Sequence, residues 1–432
     1  MKSLLIRAED KNIWERRAPI VPDDLKIIVD GTGAVAYVEK SGKRFFKEQA
    51  YQDAGAVICE SMAPGDVIFG VKEIPVEKIM DDKIYIFFSH TIKGQPSGMP
   101  ILKKIMEGGS TLIDYEKIID VNRGRLIYFG RYAGDAGAID ILHLMGRYWA
   151  HKGIETPFTQ CRPAHGYPSV EEAKKALKEI GRQIREQGFP QVLSPVVFGI
   201  LGYGNVSRGV QQIFNCLPVK EVPPSDLASL SGNFDPATLY IAIFKEEDMV
   251  KRRDGGPFDL NGYFTGPELY ESRFHEYLPF CTVLVNAVYW DSRYPKFVTW
   301  DALKRLFLEN HEPKLCGIAD ITCDVNGSIE CNVKTTDSGM PAYLVDPLAG
   351  TVTDGHEGDG IVLLAVDNLP CELPNDSSRF FSGQLTPFVS NILGADYEGS
   401  LENSGLLPEI KGAVIVYRGE LTPEYEYLRK FL

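Results

Sequence analysis

Short apolar runs recur along the first third of the chain: "SLLIRA", "AVAYVE", "DVIFGV", "IYIFF", "STLIDY" and "RLIYFG". Each is β-branched or aromatic and bounded by turn-forming residues, which predicts buried strands. Between them lie the polar, helix-compatible stretches "PDDLKIIVDG", "KEQAYQDAG" and "GMPILKKIMEGG". Strand alternating with helix predicts a mostly parallel sheet covered by helices. "GDAGAIDILHLMGRYWAHKG" then reads as one long helix of small and apolar residues, suited to connect two domains. In "SVEEAKKALKEIGRQIREQG", Ser169 is placed to cap and Gly188 to terminate a helix. Its apolar stripe, Ala173, Ala176, Leu177, Ile180 and Ile184, makes it an amphipathic surface helix.

The alternation resumes with "PVVFGILGYGNVSRGVQQIFNCL", an apolar strand entering Gly202, Tyr203 and Gly204 and then a helix from about Asn205. Glycine at 202 permits the tight turn, and glycine at 204 lets the backbone approach a pyrophosphate resting on the helix N-terminus. Dinucleotide binding is therefore expected of Gly202, Tyr203, Gly204, Asn205, Val206 and Ser207, although Ser207 replaces the third glycine of the fingerprint and Gly209 follows two residues later. The next strand of the unit is expected near "LPVKEVPPSDL". In NAD sites a carboxylate about 20 residues on accepts the ribose hydroxyls. Glu221 lies near that distance but precedes "VPP", while Lys220 and Arg208 add positive charge, so the reading leans towards NADP. Further apolar runs, "CTVLVNAVYW", "LCGIADITCDVNGSIE" and "GIVLLAVDNLP", bring Asn286, Tyr289, Asp320, Thr322, Asp324, Asp367 and Asn368 to strand ends, as turn and cap residues or as the lining of a cleft. "TVTDGHEGDG" fits no EF-hand spacing and reads as a solvated hairpin.

At 432 residues the chain exceeds one ordinary core, and two domains are expected. Apolar content of 44% and charged content of 24% are those of a soluble globular protein. The net charge of −13 offers no basic face to nucleic acid. No apolar run reaches the ~20 residues of a membrane span. The eight cysteines form no C-x-x-C and have no histidine at ligand spacing, so free thiols in a reducing compartment are expected and a metal site is not. "MKSLLIRAED" has neither a signal-peptide core nor the Arg-rich character of a transit peptide, which points to the cytoplasm.

Lys72 ends the run "VIFGV" and His90 ends "IYIFF". If those runs are parallel neighbours, both residues emerge at the carboxyl edge of the sheet, where open α/β sheets bind ligands. Two groups of this kind can share a pair of proton transfers: histidine titrates near neutrality, and a lysine joins it when burial or nearby positive charge lowers its pKa.

The opening "RAEDKNIWERRAPIVP" resembles the E-x-R-x-A-x-x-P start of the alanine dehydrogenase and transhydrogenase amino-terminal domain. "GVKEIP", "FFSHTIKGQ", "LIDYEKI", "FGRYAGDAGAIDILHLMG", "GYGNVSRGVQQIF", "ADITCDVNGSIE" and "AVDNLP" together resemble the lysine-ketoglutarate reductases. These are the lysine-forming saccharopine dehydrogenase half of the bifunctional aminoadipic semialdehyde synthases of plants and animals. The likeness runs in order along nearly the whole chain, and "FFSHTIK" and "DITCDVNGSIE" are its most specific parts.

That resemblance implies an α/β protein of two Rossmann-like domains, with mostly parallel sheets and a cleft between them. Residues 1–131 with 378–432 would form the substrate domain, and 132–377 the dinucleotide-binding domain inserted into it. The implied activity joins the ε-amine of L-lysine to the keto carbon of 2-oxoglutarate and reduces the imine with NADPH to saccharopine, the first step of lysine degradation. By motif, Lys72 and His90 become the acid/base residues, with His90 assigned to the carbinolamine and imine steps, Lys72 to the substrate amine, and the reverse left open. Arg17 and Arg125 hold carboxylates, with Arg16 and Arg123 as competitors. Arginine suits that task because its planar fork binds a carboxylate bidentately. Gln95, Glu116, Phe129, Asp320, Ile321 and Thr322 line the substrate site. Asn286, Tyr289, Asp367, Asn368 and Leu369 join the glycine turn around NADP(H). Glu73 and Glu116 either tune the acid/base pair or form salt bridges.

The second, glutamate-forming half of the bifunctional enzyme is missing from the sequence. A free-standing enzyme is one reading; a domain excised from a fusion is the other, in which case an animal source would place it in the mitochondrial matrix. Other readings are an alanine- or opine-type reductive amination on the same scaffold, which "FFSHTIKGQ" and "GSIE" disfavour, and a non-catalytic nucleotide sensor, which Lys72, His90, Arg17 and the glycine turn disfavour.

Overall fold

The structure is a computed structural model that describes residues 1–310 and 313–432. The chain divides into two compact units, Met1–Phe129 with Pro374–Leu432, and Gly130–Leu373. Both crossings coincide with the start of a long helix, at Gly130 and at Pro374.

In the first unit, β1 (Leu4–Ile6), β2 (Ala36–Glu39), β3 (Val57–Cys59), β4 (Val67–Phe69), β5 (Ile84–Phe87) and β6 (Thr111–Asp114) alternate with α1 (Pro22–Thr32), α2 (Glu48–Asp53) and α3 (Met99–Glu107). The strands lie parallel in the order β6-β5-β4-β1-β2-β3. β4, β5 and β6 are buried at every residue, because a parallel sheet is covered on both faces; their continuous apolar runs record this.

The second unit opens with α4 (Gly130–His151) and α5 (Val170–Gln187). Ser169 caps α5 by accepting the Glu172 N–H, and Gly188 ends it with φ of 71°. Next come β7 (Val196–Leu201), α6 (Asn205–Phe214), β8 (Val219–Glu221), β9 (Leu239–Phe244), α7 (Glu246–Met249), β10 (Val250–Arg252), α8 (Leu260–Thr265), β11 (Tyr270–Ser272), β12 (Val283–Asn286), α9 (Trp300–Glu309), β13 (Gly317–Asp320), β14 (Ala342–Asp346), β15 (Thr351–Asp354) and β16 (Ile361–Leu364). Among the described residues the main sheet runs β15-β14-β16-β13-β12-β7-β9-β8, with β14 antiparallel to both neighbours. β10 and β11 make a separate ribbon.

The chain then returns to the first unit through α10 (Pro374–Gly394), α11 (Pro408–Lys411), β17 (Val414–Tyr417) and β18 (Glu420–Leu421). β17 pairs antiparallel with β6 and fills the sheet position beyond it. "RLIYFG", expected as a strand, is therefore not one. Apart from a single bridge from Arg125 to Ile119, its backbone is irregular, and Ile127 and Phe129 pack into the core beside Phe381. "TVTDGHEGDG" forms β15 and the turn after it, mostly exposed at the sheet edge. No described helix is long and apolar enough to cross a membrane. All eight cysteines are free thiols.

Candidate active site and dinucleotide site

β4 and β5 are parallel neighbours, with Phe69 opposite Ile86, so Lys72 and His90 stand on adjacent loops at the carboxyl edge of the first sheet. Each loop is pinned by a buried carboxylate from the next strand over. Glu9, two residues past the Arg7 that bonds to β4, accepts the backbone N–H of Val71 at 2.7 Å and of Lys72 at 3.0 Å. Asp114, at the end of β6, accepts the Ser89 N–H at 3.0 Å and the Ser89 hydroxyl. Both carboxyls are fully enclosed, and burial raises their pKa. Sequence reasoning passed over both. Knowing that β1, β4, β5 and β6 are adjacent would have revealed them, since the residues just past those strands then converge.

Burial, then the Arg17 and Lys11 charges, lowers the pKa of Lys72 against the opposing pull of Glu73 and Glu15. His90 holds a left-handed backbone, φ 53°, stacks on Phe88 and contacts Glu73 through Nδ1. Burial would raise the Glu73 carboxyl, but the hydrogen bond and charge of His90, with Lys72 beside it, prevail and bring it to about 2. Glu73 is thus the ionised partner of the pair. Arg17 is buried, donates to Glu15 through Nε at 2.8 Å, and lies 4.2 Å over the Phe129 ring. Phe129 stacks on Phe381 with centroids 4.5 Å apart. Arg125 is exposed and pairs with Glu116. Gln95 is exposed just past the Thr91–Gly94 turn. The acid/base candidates, Arg17 and an aromatic wall thus come together in one unit.

In the second unit, Gly202 has φ of 93°, and a Cβ there would sit 2.9 Å from Val288 Cγ1, so only glycine fits. Gly204 differs: its backbone is extended and nothing lies within 4 Å of an added Cβ. Neither conformation nor internal packing requires glycine at 204, and the space in front of it is open to a ligand. Gly209 serves the packing role instead, since its Cβ would meet the Arg131 carbonyl at 2.2 Å where α6 crosses α4. Across the same crossing, a Cβ on Gly134 would meet the Val206 carbonyl at 2.0 Å. Ser207 is buried and its hydroxyl accepts from Gln211 at 2.9 Å, while Asn205 is exposed. A cavity of about 310 Å³ opens on the turn, lined by Gly202, Tyr203, Gly204, Glu246, Tyr263 and Tyr289 among others. Glycine turn, open space at Gly204 and cavity together fit a dinucleotide.

Several other expected ligand residues are enclosed. Asn286 donates to Asp320 at 2.8 Å and to Thr322 and Ser328 at 2.9 Å, and Asp320 also accepts from Asn332 at 2.8 Å. Asn286 and Asp320 are fully buried, and their observed role is to tie the ends of β12 and β13 together. Asn368 is buried, and Ile321 and Leu369 pack against Gly137 of α4. Asp367 is exposed.

The expected place of the ribose carboxylate is corrected. β7 pairs along its full length with β9, and β8 lies outside β9 at the sheet edge. The strand beside the glycine turn therefore ends at Phe244, followed by Lys245, Glu246 and Glu247, so the carboxylates at that strand end are Glu246 and Glu247 and not Glu221.

Comparison with known proteins agrees with the architecture. Models of the alanine dehydrogenase/PNT N-terminal and C-terminal domains match residues 5–136 and 292–424. The solved structure of an L-alanine dehydrogenase aligns over 99% of this chain and all of its own, with a TM-score of 0.63 at 16% identity, a likeness of fold. The mitochondrial alpha-aminoadipic semialdehyde synthase of Bos taurus is 35% identical over 99% of this chain and 47% of its own length. The chain thus spans about half the length of that relative. An L-lysine-forming, NAD(+) saccharopine dehydrogenase of Emericella nidulans is 25% identical over 90% of this chain and 91% of its own. With both domain models matched in order on this fold, the chain belongs to the alanine dehydrogenase/PNT family, beside the alpha-aminoadipic semialdehyde synthases.

Proposed function

We propose that the protein is a lysine-forming saccharopine dehydrogenase, condensing L-lysine with 2-oxoglutarate and reducing the resulting imine to saccharopine. The observation that carries the reading is the placing of Lys72 and His90 on adjacent loops, with the Lys72 pKa lowered by burial and by Arg17. Imine formation from an amine and a ketone requires a proton removed from nitrogen, a proton delivered to the carbinolamine oxygen, and loss of water. Lys72, with its lowered pKa, accepts the proton of the substrate ammonium. His90, oriented by Glu73 through Nδ1, gives and takes the proton at the carbinolamine oxygen and the imine nitrogen. Arg17 and Arg125 pair with substrate carboxylates, of which saccharopine has three, Arg17 from a site already set by Glu15 and Phe129. The relatives named for saccharopine and aminoadipic semialdehyde support this substrate class over a small 2-oxo acid.

A reduced nicotinamide dinucleotide supplies the hydride. Gly202 and Gly204 admit its pyrophosphate at the start of α6, and Tyr263 and Tyr289 offer an apolar wall to its base. The NADPH expected from the family resemblance is one of two candidates, because Glu246 stands beside the turn. A glutamate-forming saccharopine dehydrogenase, separate or fused, is the partner that would consume the product.

The test is an omission assay of NADH and NADPH oxidation. Turnover is expected only when L-lysine and 2-oxoglutarate are both present. Equal turnover with ammonia and pyruvate would favour an alanine dehydrogenase instead.

A further inference from the structure

We infer that Glu246 reads the 2′ position of the adenosine ribose and makes the protein prefer NADH to NADPH. The inference rests on the dinucleotide site proposed above and adds its selectivity. The Gly202 N–H donates to the Phe244 carbonyl at 2.9 Å, which pins the glycine turn to the end of β9, two residues before Glu246. Glu246 is half-buried and lines the same cavity as Gly202 and Gly204. Burial and then the Glu246 carboxylate hold the Tyr203 hydroxyl above its usual pKa, so the carboxylate stands beside the side chain of the residue between the two glycines. In a parallel dinucleotide fold the strand next to the first one ends at the ribose, where a carboxylate accepts the two hydroxyls and repels a phosphate.

Of the cations around the turn, Lys220 is set back and the arginines at the β10–β11 ribbon are paired, while Arg208 and Lys245 stand near it. Lys220 sits opposite Tyr240, four residues before the end of β9, or roughly 13 Å back along the strand, and one strand further out. Arg252, Arg253 and Arg273 pair with Asp254, Glu271 and Glu276. Arg208 is exposed and donates to Asn205 at 3.5 Å. Lys245 is exposed and flanked by Glu246, Glu247 and Asp248.

The experiment is calorimetric titration of the full chain with NADH and with NADPH, in the parent, Glu246→Gln and Gly204→Val. The parent should bind NADH at least about tenfold more tightly. Glu246→Gln should lose most of that ratio, chiefly by gaining affinity for NADPH, while its melting temperature stays at the parental value. Gly204→Val should weaken both nucleotides alike. A parent that binds NADPH as tightly as NADH, or a ratio unchanged in Glu246→Gln, overturns the assignment of Glu246. If the parent binds neither nucleotide, the dinucleotide site itself is wrong, and the inference falls with it.

Discussion

His90 keeps a backbone conformation that non-glycine residues seldom adopt, and such strain persists only where surrounding bonds enforce it. Asp114 through Ser89, and Glu73 through Nδ1, are those bonds. Lys72 is held in the same way by Glu9. Replacing either residue should therefore change chemistry more than fold. Lys72→Met and His90→Gln are each expected to lower kcat by about 10²- to 10⁴-fold with dinucleotide affinity retained, and each should lose one limb of the pH profile of kcat/KM. The double variant should lose less than the product of the two, because both groups act in one proton inventory. The lowered Lys72 pKa also has a stability consequence. A lysine whose folded pKa lies below its unfolded value costs stability at neutral pH, where the charge must be buried. Thermal melts of Lys72→Met should accordingly show a Tm equal to or above the parental one. Near-parental turnover in both single variants, with both limbs intact, would reduce Lys72 and His90 to strand-end residues.

At the scale of elements, α6 uses the glycine before it, Gly204, and the one within it, Gly209, in opposite ways. Gly209→Ala should cost about 1–3 kcal/mol, a fall of several degrees in Tm, because its Cβ has no room against α4. Gly204→Val should melt with the parent yet lose the dinucleotide, a contrast that melting and titration of the two variants will check. α4 also carries Asp140, 1% exposed, against Glu372, 2% exposed. Burial raises both carboxyls, Asp140 to about 6 and Glu372 well above its usual value. A raised carboxyl contributes stability that is full below its unfolded pKa and is lost as pH rises through the folded value. Asp140→Asn keeps an acceptor for the Ala164 N–H, at 2.7 Å in the parent, and should raise Tm more at about pH 8 than at about pH 5. A Tm change that is the same at both pH values, or a larger fall at about pH 8, would contradict the raised Asp140 carboxyl.

These elements were unequally legible in the sequence. β4, β5 and the β7–α6 turn announce themselves because apolar runs end at glycine, lysine or histidine. β3 and β18 are short edge strands whose identity depends on their neighbours, and "RLIYFG" has strand composition but loses its place in the sheet to β17, a segment nearly 300 residues later. Glu246 was missed for the same reason, since spatial order, with β9 inside β8, decides which strand end meets the turn.

For the whole molecule, the domain plan was legible as two alternations of strand and helix, and the return of the tail came only through family resemblance. Neither alternation reveals that Asn286 and Asp320 would be buried in a mutual network, because periodicity places a residue at a strand end without showing what closes over it. One unit holds the proposed proton-transfer groups and the other the proposed dinucleotide turn, and the reaction proposed for them is formation of a secondary amine by hydride transfer onto an imine of two substrates. The most direct measurement supplies L-lysine, 2-oxoglutarate and a reduced nicotinamide dinucleotide carrying two deuteriums at the reacting carbon, and weighs the product by mass spectrometry. The expected result is saccharopine carrying one deuterium, formed only when both substrates are present. Deuterated alanine from pyruvate and ammonia, or saccharopine without the label, would contradict it.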